Sequence, residues 1–295
     1  MAVIKTPYTV TLVTCHAQPL LTPSDAILKA ELEKLGASVR VAIWTDGEVE
    51  WSASHLTVVR STWDAHLRVR EFEGWLRRID VQTRVCNPTD KILWNFEKRY
   101  LVDLQRRGVA IIPTMYFEAG SHLDLRSTAS KWPHVVAKPS IGGNSFEVRR
   151  FHVPTELALL EDHVNGILTR TGALIQRFED TVNTLAERSL VFIGGEYSHA
   201  VRRIAFNTGD TPDSPEFDHE AAEAEITFAT QVLEASDSHS LPFARVDILP
   251  GPEGLLLMEL ELVEPALFFT RSPRSAHKLA SNLLRMLSSP IADSN

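Results

Sequence analysis

Cysteine is scarce in this sequence. Among 295 residues, only Cys15 and Cys86 are cysteines. Two isolated cysteines provide neither the disulfide framework of a small secreted domain nor the paired spacing of a zinc site. We therefore expect a cytoplasmic protein whose fold depends on an apolar core, and a hydrophobic content of 44% is sufficient for one.

The chain also lacks an excess of basic residues and any long apolar run. Its 30 lysines and arginines are outnumbered by 38 acidic residues, which gives a formal charge of −8 and argues against nucleic acid as a partner. No stretch approaches the roughly 20 apolar residues of a membrane helix, and the first residues lack a signal-peptide pattern. We expect no membrane or nucleic-acid partner, and a homo-oligomer remains open.

A glycine-rich dinucleotide fingerprint is missing where it would be expected. Tyr8–Cys15 alternates as a buried strand does, and a helix from Thr22 to Gly36 and a strand over Ser38–Ile43 follow. This β-α-β order predicts a parallel sheet. The loop after the first strand, residues 16–19, contains no glycine, which argues against a Rossmann site.

Polar residues follow the third predicted strand, Leu56–Arg60. The carboxyl ends of parallel strands are where such sheets bind ligands, so these residues are candidate substrate contacts. The four candidates are Arg60, Trp63, Asp64 and His66. The alternative is structural: Ser61 or Asp64 caps a helix and Trp63 packs. The sequence does not choose between the two.

Five acidic residues occur in the stretch Phe243–Pro265, and three of them, Asp247, Glu259 and Glu261, lie within its two apolar runs. Proline and glycine at its centre separate two alternating runs, the pattern of a β-hairpin. A turn there places Asp247 opposite Glu259 and Arg245 opposite Glu261. Because side chains alternate along strands, all four share one face.

Three carboxylates on one face repel each other unless a cation lies between them. Oxygen ligands of this kind suit Mg²⁺ or Mn²⁺, usually with phosphate completing the coordination. The alternative is a solvated strand face whose acids form ordinary salt bridges to Arg245. We favour a metal site, since the flanking residues are apolar and unpaired charges are rarely buried.

A lysine precedes a loop rich in glycine and serine. Lys138 ends an apolar strand, and Gly142, Gly143 and Ser145 follow it. Backbone amides of such a loop can surround phosphate, and a lysine at the strand end can reach it. In the P-loop motif the lysine follows the glycines, so this is a different pattern. A simple Gly-Gly hairpin is the alternative.

In their order along the chain, these segments resemble the ATP-grasp family. The ordered set, within about residues 88–270, consists of Lys98 on a helix, Lys138 before the Gly/Ser loop, a hinge at 174–178, Glu187 and the acidic hairpin. The resemblance implies an α/β fold in which α+β subdomains grip ATP after an N-terminal parallel α/β domain.

The resemblance also implies a division of the chain and a role for each matched residue. We expect an N-terminal α/β domain on the substrate side (1–90), a central subdomain with the Gly/Ser loop (91–180) and a C-terminal subdomain with the hairpin (181–295). The implied nucleotide contacts are Lys98, Lys138, Gly142, Gly143, Ser145, Gln176, Phe178 and Glu187. The implied ligands of Mg²⁺ or Mn²⁺ are Asp247, Glu259 and Glu261. The implied catalytic arginines are Arg245 and one of the neighbours Arg202 and Arg203.

One of these residues departs from the family pattern. Many members have asparagine where this chain has Glu261. A third carboxylate adds negative charge to the site, and we expect it to change the metal preference.

A bacterial subgroup of short, glutathione-synthetase-like members is similar to this chain in the segments Arg60–Asp64 and Met258–Pro265. The best-known reaction of that subgroup is ATP-dependent closure of O-ureido-D-serine into D-cycloserine, with ADP and phosphate as products. The resemblance implies a ligase that activates the carboxylate of a small amino acid as an acyl phosphate. Two alternatives remain: an intermolecular amide or dipeptide ligase, and a nucleotide-binding protein without catalysis.

Overall fold

Three β-sheets organise the chain in the computed structural model, which describes residues 8–123, 125, 131–204 and 216–288. The sheets contain four, five and four strands. No helix within the described residues has the length and apolarity needed to cross a membrane.

The N-terminal sheet is parallel, as the β-α-β order predicts, with the spatial order β2-β1-β3-β4. Its strands are β1 (Thr9–Thr14), β2 (Ser38–Ile43), β3 (Leu56–Ser61) and β4 (Arg84–Cys86). Its helices are α1 (Pro23–Lys34) and α2 (Val69–Asp80). Thr22 caps α1, because its hydroxyl oxygen accepts a hydrogen bond from the Asp25 N–H at 3.0 Å.

The prediction that Lys98 lies on a helix is wrong. The structure has two helices, α3 (Thr89–Phe96) and α4 (Tyr100–Arg106), with an extended residue, Glu97, at the break. The Lys98 N–H donates to the Ser140 carbonyl oxygen at 2.7 Å instead of to a helical partner. The fully buried residues of α3 and those of α4 lie in different apolar cores. The apolar residues that recur at helical spacing in the sequence therefore belong to two helices.

The central sheet is antiparallel, with the order β5-β8-β6-β7. Its strands are β5 (Thr114–Phe117), β6 (His134–Pro139), β7 (Arg149–His152) and β8 (Ala173–Arg177). Helix α5 (Val153–Leu168) packs on one face of it. Lys138 lies on β6, and the Gly/Ser loop connects β6 to β7.

The C-terminal sheet is also antiparallel, with the order β11-β10-β9-β12-β13. Its strands are β9 (Glu187–Ile193), β10 (Glu196–Arg203), β11 (Glu216–His219), β12 (Phe243–Gly251) and β13 (Gly254–Glu261). The remaining helices are α6 (Thr181–Thr184), α7 (Glu223–Ala235) and α8 (Pro273–Ser288). Helix α8 returns to the N-terminal domain and packs against α1.

The register of β12 and β13 agrees with the predicted pairing: Asp247 lies opposite Glu259, and Arg245 lies opposite Glu261. Next to the turn, however, the pairing differs by one residue from the register of the acidic pairs. A bulge that leaves Met258 as the extra residue restores the register before the acidic pairs. The bulge matters because a slip of one residue would turn the two glutamates to the other face of the sheet.

Candidate active site

A cavity of about 320 Å³ lies among the three sheets. Its lining comes from the loop after β3, the β6–β7 loop, β8 and the β12–β13 hairpin. It contains most of the residues selected from the sequence: Trp63, His66, Lys98, Lys138, Gly142, Gly143, Ser145, Gln176, Phe178, Glu187, Arg203, Arg245, Asp247, Glu259 and Glu261. Three selected residues do not line it, and these are Arg60, Asp64 and Arg202.

Strand β10 distinguishes the two neighbouring arginines. Arg203 faces the cavity, where its guanidinium contacts the Glu187 carboxylate and lies 3.5 Å from the Asp247 carboxylate. Arg202 is exposed on the opposite face, with its guanidinium 5.5 Å from the centre of the Phe217 ring. Of the two arginines left open by the sequence, only Arg203 therefore faces the cavity.

Arg60 and Asp64 do not line the cavity, so their selection as substrate contacts stays a prediction that the cavity does not support. Arg60 is 1% exposed; its Nε donates to the Asp25 carboxylate at 2.9 Å, and its Nη2 donates to the Pro265 carbonyl oxygen at 2.7 Å. Asp64 accepts a hydrogen bond from the Trp44 indole N–H at 2.7 Å. The end of β3 is covered by the segment that follows β13, so these polar side chains find partners inside the protein.

Cations neutralise the acidic face of the hairpin. Arg245 Nη2 donates to Asp247 at 2.8 Å and to Glu261 at 2.7 Å. Lys98 Nζ lies 3.0 Å from Glu259 and donates to a carbonyl oxygen of the Gly/Ser loop at 2.7 Å. Lys98 therefore links the α3–α4 turn, the loop and the hairpin.

The arginines and lysines set the ionisation of Asp247 and Glu259. Burial alone would raise the pKa of Asp247, but Arg245 and Arg203 outweigh it, and the pKa is lowered. In the same way, Lys98 and Lys138 lower the pKa of Glu259 against the effect of burial. Both carboxylates are therefore ionised at neutral pH.

Glu261 differs from its two neighbours. Loss of hydration and the negative charges of Glu259 and Asp247 raise its pKa to about 7, although Arg245 acts in the opposite direction. An added cation beside this carboxylate, at the position where asparagine is more familiar, would favour its ionised form.

Lys138 is a buried cation without an anion beside it. It is 8% exposed, and burial lowers its pKa despite the acidic residues farther away. Within the described residues, no carboxylate lies at ion-pair distance from it. Because an unpaired buried charge is costly, this site is suited to an anionic ligand such as a phosphate.

The hinge side of the cavity is mostly apolar. The Gln176 side chain donates to the Thr114 hydroxyl at 2.9 Å, and the Phe178 N–H donates to the His134 carbonyl oxygen at 3.0 Å. The Arg150 guanidinium stacks on the Phe178 ring, 3.6 Å from its centre. The backbone N–H of Phe178, a residue of the cavity lining, is thus used within the protein.

The donor set fits Mg²⁺ by its chemistry, although it forms no closed cage. Glu259 and Glu261 keep 21% and 29% of their side-chain surface exposed, whereas Asp247 keeps 1%. No three His, Cys, Asp or Glu side chains among the described residues converge as a complete metal site. Mg²⁺ is usually bound by one or two carboxylates together with substrate phosphates and water, and the two accessible glutamates match that number.

Several cavity residues escaped the sequence argument, above all Glu264. Its pKa is raised to about 8, first by burial and then by the charge of Glu261. It lies three residues beyond Glu261, but alternation along β13 gives no direction for a residue after the strand ends. Asn95 was also missed; its side chain donates to the Leu260 carbonyl oxygen at 2.8 Å and accepts from the Leu262 N–H at 2.7 Å.

Comparison with known proteins agrees with this geometry. Residues 10–87 match the family model described as the N-terminal domain of D-cycloserine synthetase DcsG. The cycloserine biosynthesis protein DcsG of Streptomyces lavendulae is 32% identical over 273 residues, which cover 86% of this chain and 90% of the relative. The chain belongs to the ATP-grasp ligase family, as a relative of DcsG.

Solved structures extend the likeness to the whole fold of this ATP-grasp enzyme. The crystal structure of D-cycloserine synthetase DcsG matches with a TM-score of 0.86 and 30% identity, over 95% of this chain and 99% of the other. A D-alanine–D-alanine ligase from Bacillus anthracis complexed with ATP has a TM-score of 0.68 and 12% identity, covering 95% and 99%.

The ATP-grasp ligase PsnB, solved with a minimal precursor, Mg and ADP, has a TM-score of 0.61 and 15% identity, covering 95% and 98%. At such identities the last two structures show the fold alone. The expected architecture, an ATP-grasp fold after an N-terminal parallel domain, is confirmed.

Proposed function

We propose that this enzyme uses ATP to activate the carboxylate of O-ureido-D-serine and closes the molecule into D-cycloserine. One observation carries the proposal: a protein named for cycloserine biosynthesis is 32% identical along 86% of this chain. The charged cavity supports it independently, because its residues suit transfer of a phosphoryl group to a small anion.

The cavity provides an anion site for the phosphates of ATP. Lys98 and Lys138 would contact the phosphates, and Gly142, Gly143 and Ser145 would cover them through backbone N–H groups. At the other side, Gln176 and the Phe178 ring would hold the adenine, and Glu187 would accept from the ribose hydroxyls. Phosphoryl transfer depends mainly on such positioning and charge neutralisation.

The carboxylates of the hairpin would hold the metal. We assign Glu259 and Glu261 as the direct ligands of Mg²⁺, or Mn²⁺, and Asp247 as the residue that orients Arg245 and completes the negative field. When bound, the ion supplies neutralisation of the phosphate charge. Arg245 and Arg203 remain close to the transferred phosphoryl group, where their charge stabilises the developing negative oxygens.

The reaction would proceed in three balanced steps. A carboxylate oxygen attacks the γ-phosphorus, the bond to the β-phosphate oxygen breaks, and ADP leaves. The ureido nitrogen attached to oxygen then attacks the acyl carbon; the carbon–nitrogen bond forms, inorganic phosphate leaves, and the nitrogen loses its proton. Hydrolysis of the carbamoyl group on the ring finally yields D-cycloserine, carbon dioxide and ammonia.

A test with a single substrate separates this function from its alternatives. ADP release is measured with O-ureido-D-serine and ATP, without an added amine, and the product mass is determined. Ring closure predicts ADP and cycloserine in equal amounts. ADP release that requires a second amino acid would identify an intermolecular ligase, and no ADP with any amino acid would identify a nucleotide-binding protein.

A further inference from the structure

Glu264 is the exception among the acids that line the cavity. Of the six carboxylate side chains there, five contact a lysine or an arginine within the protein. The pairs are Glu179 with Arg177, Glu187 with Arg203, Asp247 with Arg245, Glu259 with Lys98 and Glu261 with Arg245. Within the described residues, Glu264 has neither a hydrogen bond nor an ion pair.

The backbone on both sides of Glu264 is held by side chains from other elements. Asn95 makes two hydrogen bonds to the end of β13, at 2.8 and 2.7 Å. Arg60 binds the carbonyl oxygen of Pro265 at 2.7 Å, and Arg245 binds that of Ala266 at 3.3 Å. A carboxylate without a protein partner, on a backbone fixed in this way, is preorganised for a ligand.

The position of Glu264 assigns it to the substrate rather than to the nucleotide. It follows the strand end that bears Glu261, whereas the hinge that would hold adenine is on β8 in the central sheet. Arg245 contacts both Glu261 and the backbone two residues after Glu264. The acid is therefore near the arginine expected to meet the phosphorylated carboxylate.

We propose that Glu264 binds the α-ammonium group of an amino-acid substrate whose own carboxylate is activated next to Arg245. This assignment rests on the proposed function, since it requires an α-amino acid in the cavity. In such a molecule one carbon separates the ammonium from the carboxylate, so their two binding groups must be neighbours. Arg245 donates to the carbonyl oxygen of Ala266, two residues after Glu264, so both groups lie at the same end of the cavity.

The electrostatics of the cavity favour the same ligand. Burial and the charge of Glu261 make a negative charge on Glu264 unfavourable, although the more distant charges of Lys98 and Arg60 act in the opposite direction. An ammonium group relieves both effects, because it supplies a positive charge and donates hydrogen bonds to the carboxylate. An anionic group at this place would add to the repulsion, and without a cation protonation of Glu264 relieves the cost instead.

A different role for Glu264, as the acceptor of the proton from the ureido nitrogen, predicts different kinetics. A proton acceptor acts in the chemical step, so its loss lowers kcat with little change in KM. A group that binds ammonium matters only for substrates that carry one. The comparison therefore needs two substrates: O-ureido-D-serine and its des-amino analogue, 3-(ureidooxy)propanoate.

The experiment compares Glu264→Gln, Glu264→Asp and wild type by ADP release with both substrates. Binding of each compound is also measured calorimetrically in the presence of a non-hydrolysable ATP analogue. Loss of a hydrogen bond to a charged group costs roughly 10- to 100-fold, and we expect that increase in KM and Kd for O-ureido-D-serine with Glu264→Gln. Glu264→Asp should restore part of the loss, and the KM for ATP should not change.

The des-amino analogue and a control variant complete the test. We expect wild type and Glu264→Gln to bind the analogue equally. Glu253→Gln makes the same change of charge at the exposed turn of the same hairpin and should behave as wild type. An equal loss for both substrates, a lower kcat at unchanged KM, or unchanged binding in Glu264→Gln would overturn the assignment.

Failure of this inference can be distinguished from failure of the proposed function. If wild type binds O-ureido-D-serine through Glu264 but releases no ADP, the cyclisation is wrong and the ammonium site stands. If wild type forms cycloserine and Glu264→Gln does so with the same KM, the ammonium site is wrong and the cyclisation stands. Absence of both binding and turnover in wild type rejects both.

Discussion

Among the residues that the structure describes, two buried arginines have carboxylate partners, and their surroundings differ. Arg60, 1% exposed, pairs with Asp25, 3% exposed, in the N-terminal domain. Arg245, 4% exposed, pairs with Asp247, 1% exposed, in the C-terminal hairpin. From the sequence alone, both looked like parts of a ligand site.

The surroundings of the two arginines account for the difference. Arg60 contacts the Asp25 carboxylate, a backbone carbonyl oxygen and the face of the Phe243 ring, with its guanidinium carbon 4.9 Å from the ring centre. These contacts connect the N-terminal domain to the hairpin segment. Arg245 instead lines the cavity beside Glu261, whose carboxylate is partly exposed. A buried ion pair is therefore evidence for a site only when one of its members reaches an open volume.

The first prediction concerns the cavity side of this comparison. Glu259→Gln should reduce ADP release by at least about a thousandfold, because in the proposed function it removes a carboxylate that would hold the metal against the phosphates. The far-UV circular dichroism and the melting temperature should stay near the wild-type values, since Lys98 keeps its hydrogen bond to the loop. Near-normal turnover in a folded variant would remove Glu259 from the metal site, and Glu253→Gln is the matched control.

The second prediction concerns the structural pair. Asp25→Ala leaves the Arg60 charge buried and should lower the free energy of unfolding by about 3–5 kcal/mol. The KM of the fraction that remains folded should be close to wild type, because neither residue lines the cavity. Urea unfolding and steady-state kinetics measure the two effects separately.

A control on the same helix calibrates that result. Glu33→Ala removes a partly exposed partner of Lys29 on α1 and should cost less than about 1 kcal/mol. If Asp25→Ala were as stable as this control but raised the substrate KM tenfold, the N-terminal pair would belong to the site after all.

The third prediction uses the alternation of β10. Arg203→Ala should lower kcat by about a hundredfold, as expected for loss of a charge near a transferred phosphoryl group. Arg202→Ala, on the exposed face, should change kcat by less than about twofold. Equal effects of the two substitutions on kcat would show that the face of the strand does not decide the function.

The sequence was most informative where a local pattern coincides with a long-range constraint. Alternation and turn residues predict the pairing of Asp247 with Glu259, and the structure has it. The predicted pairing has no bulge, so it differs from the structure by one residue next to the turn. The bulge at Met258 removes this difference before the acidic pairs, and the prediction for these pairs is therefore right. Local patterns do not encode bulges, so this agreement could have failed.

Other parts of the site depend on contacts between distant segments. The helix break at Lys98 is associated with a hydrogen bond to Ser140, 42 residues farther along the chain. Arg60 turns away from the cavity because Asp25 and the Pro265 carbonyl oxygen are its partners. Glu264 lies after a strand end, where side-chain direction is not periodic. Each outcome follows from tertiary packing, which single-sequence patterns do not contain.

The smallest expected effect concerns Asp64, whose role the sequence left open. Asp64→Ala removes the acceptor for the Trp44 indole N–H. We expect a loss of about 1 kcal/mol in the free energy of unfolding, typical of one hydrogen bond at a half-buried site. The KM for O-ureido-D-serine should change by less than about twofold, because Asp64 does not line the cavity.

Asp64→Asn keeps an acceptor oxygen for the Trp44 indole and should therefore recover most of the stability lost in Asp64→Ala. A tenfold rise in the substrate KM for both variants would instead assign the Asp64 carboxylate to the substrate. It would mean that the enzyme binds its substrate with residues of the N-terminal domain that lie outside the cavity of this structure. The contrast between a structural N-terminal cluster and a reactive C-terminal hairpin would then be wrong for Asp64. The structural role assigned to this residue rests on its single hydrogen bond with Trp44.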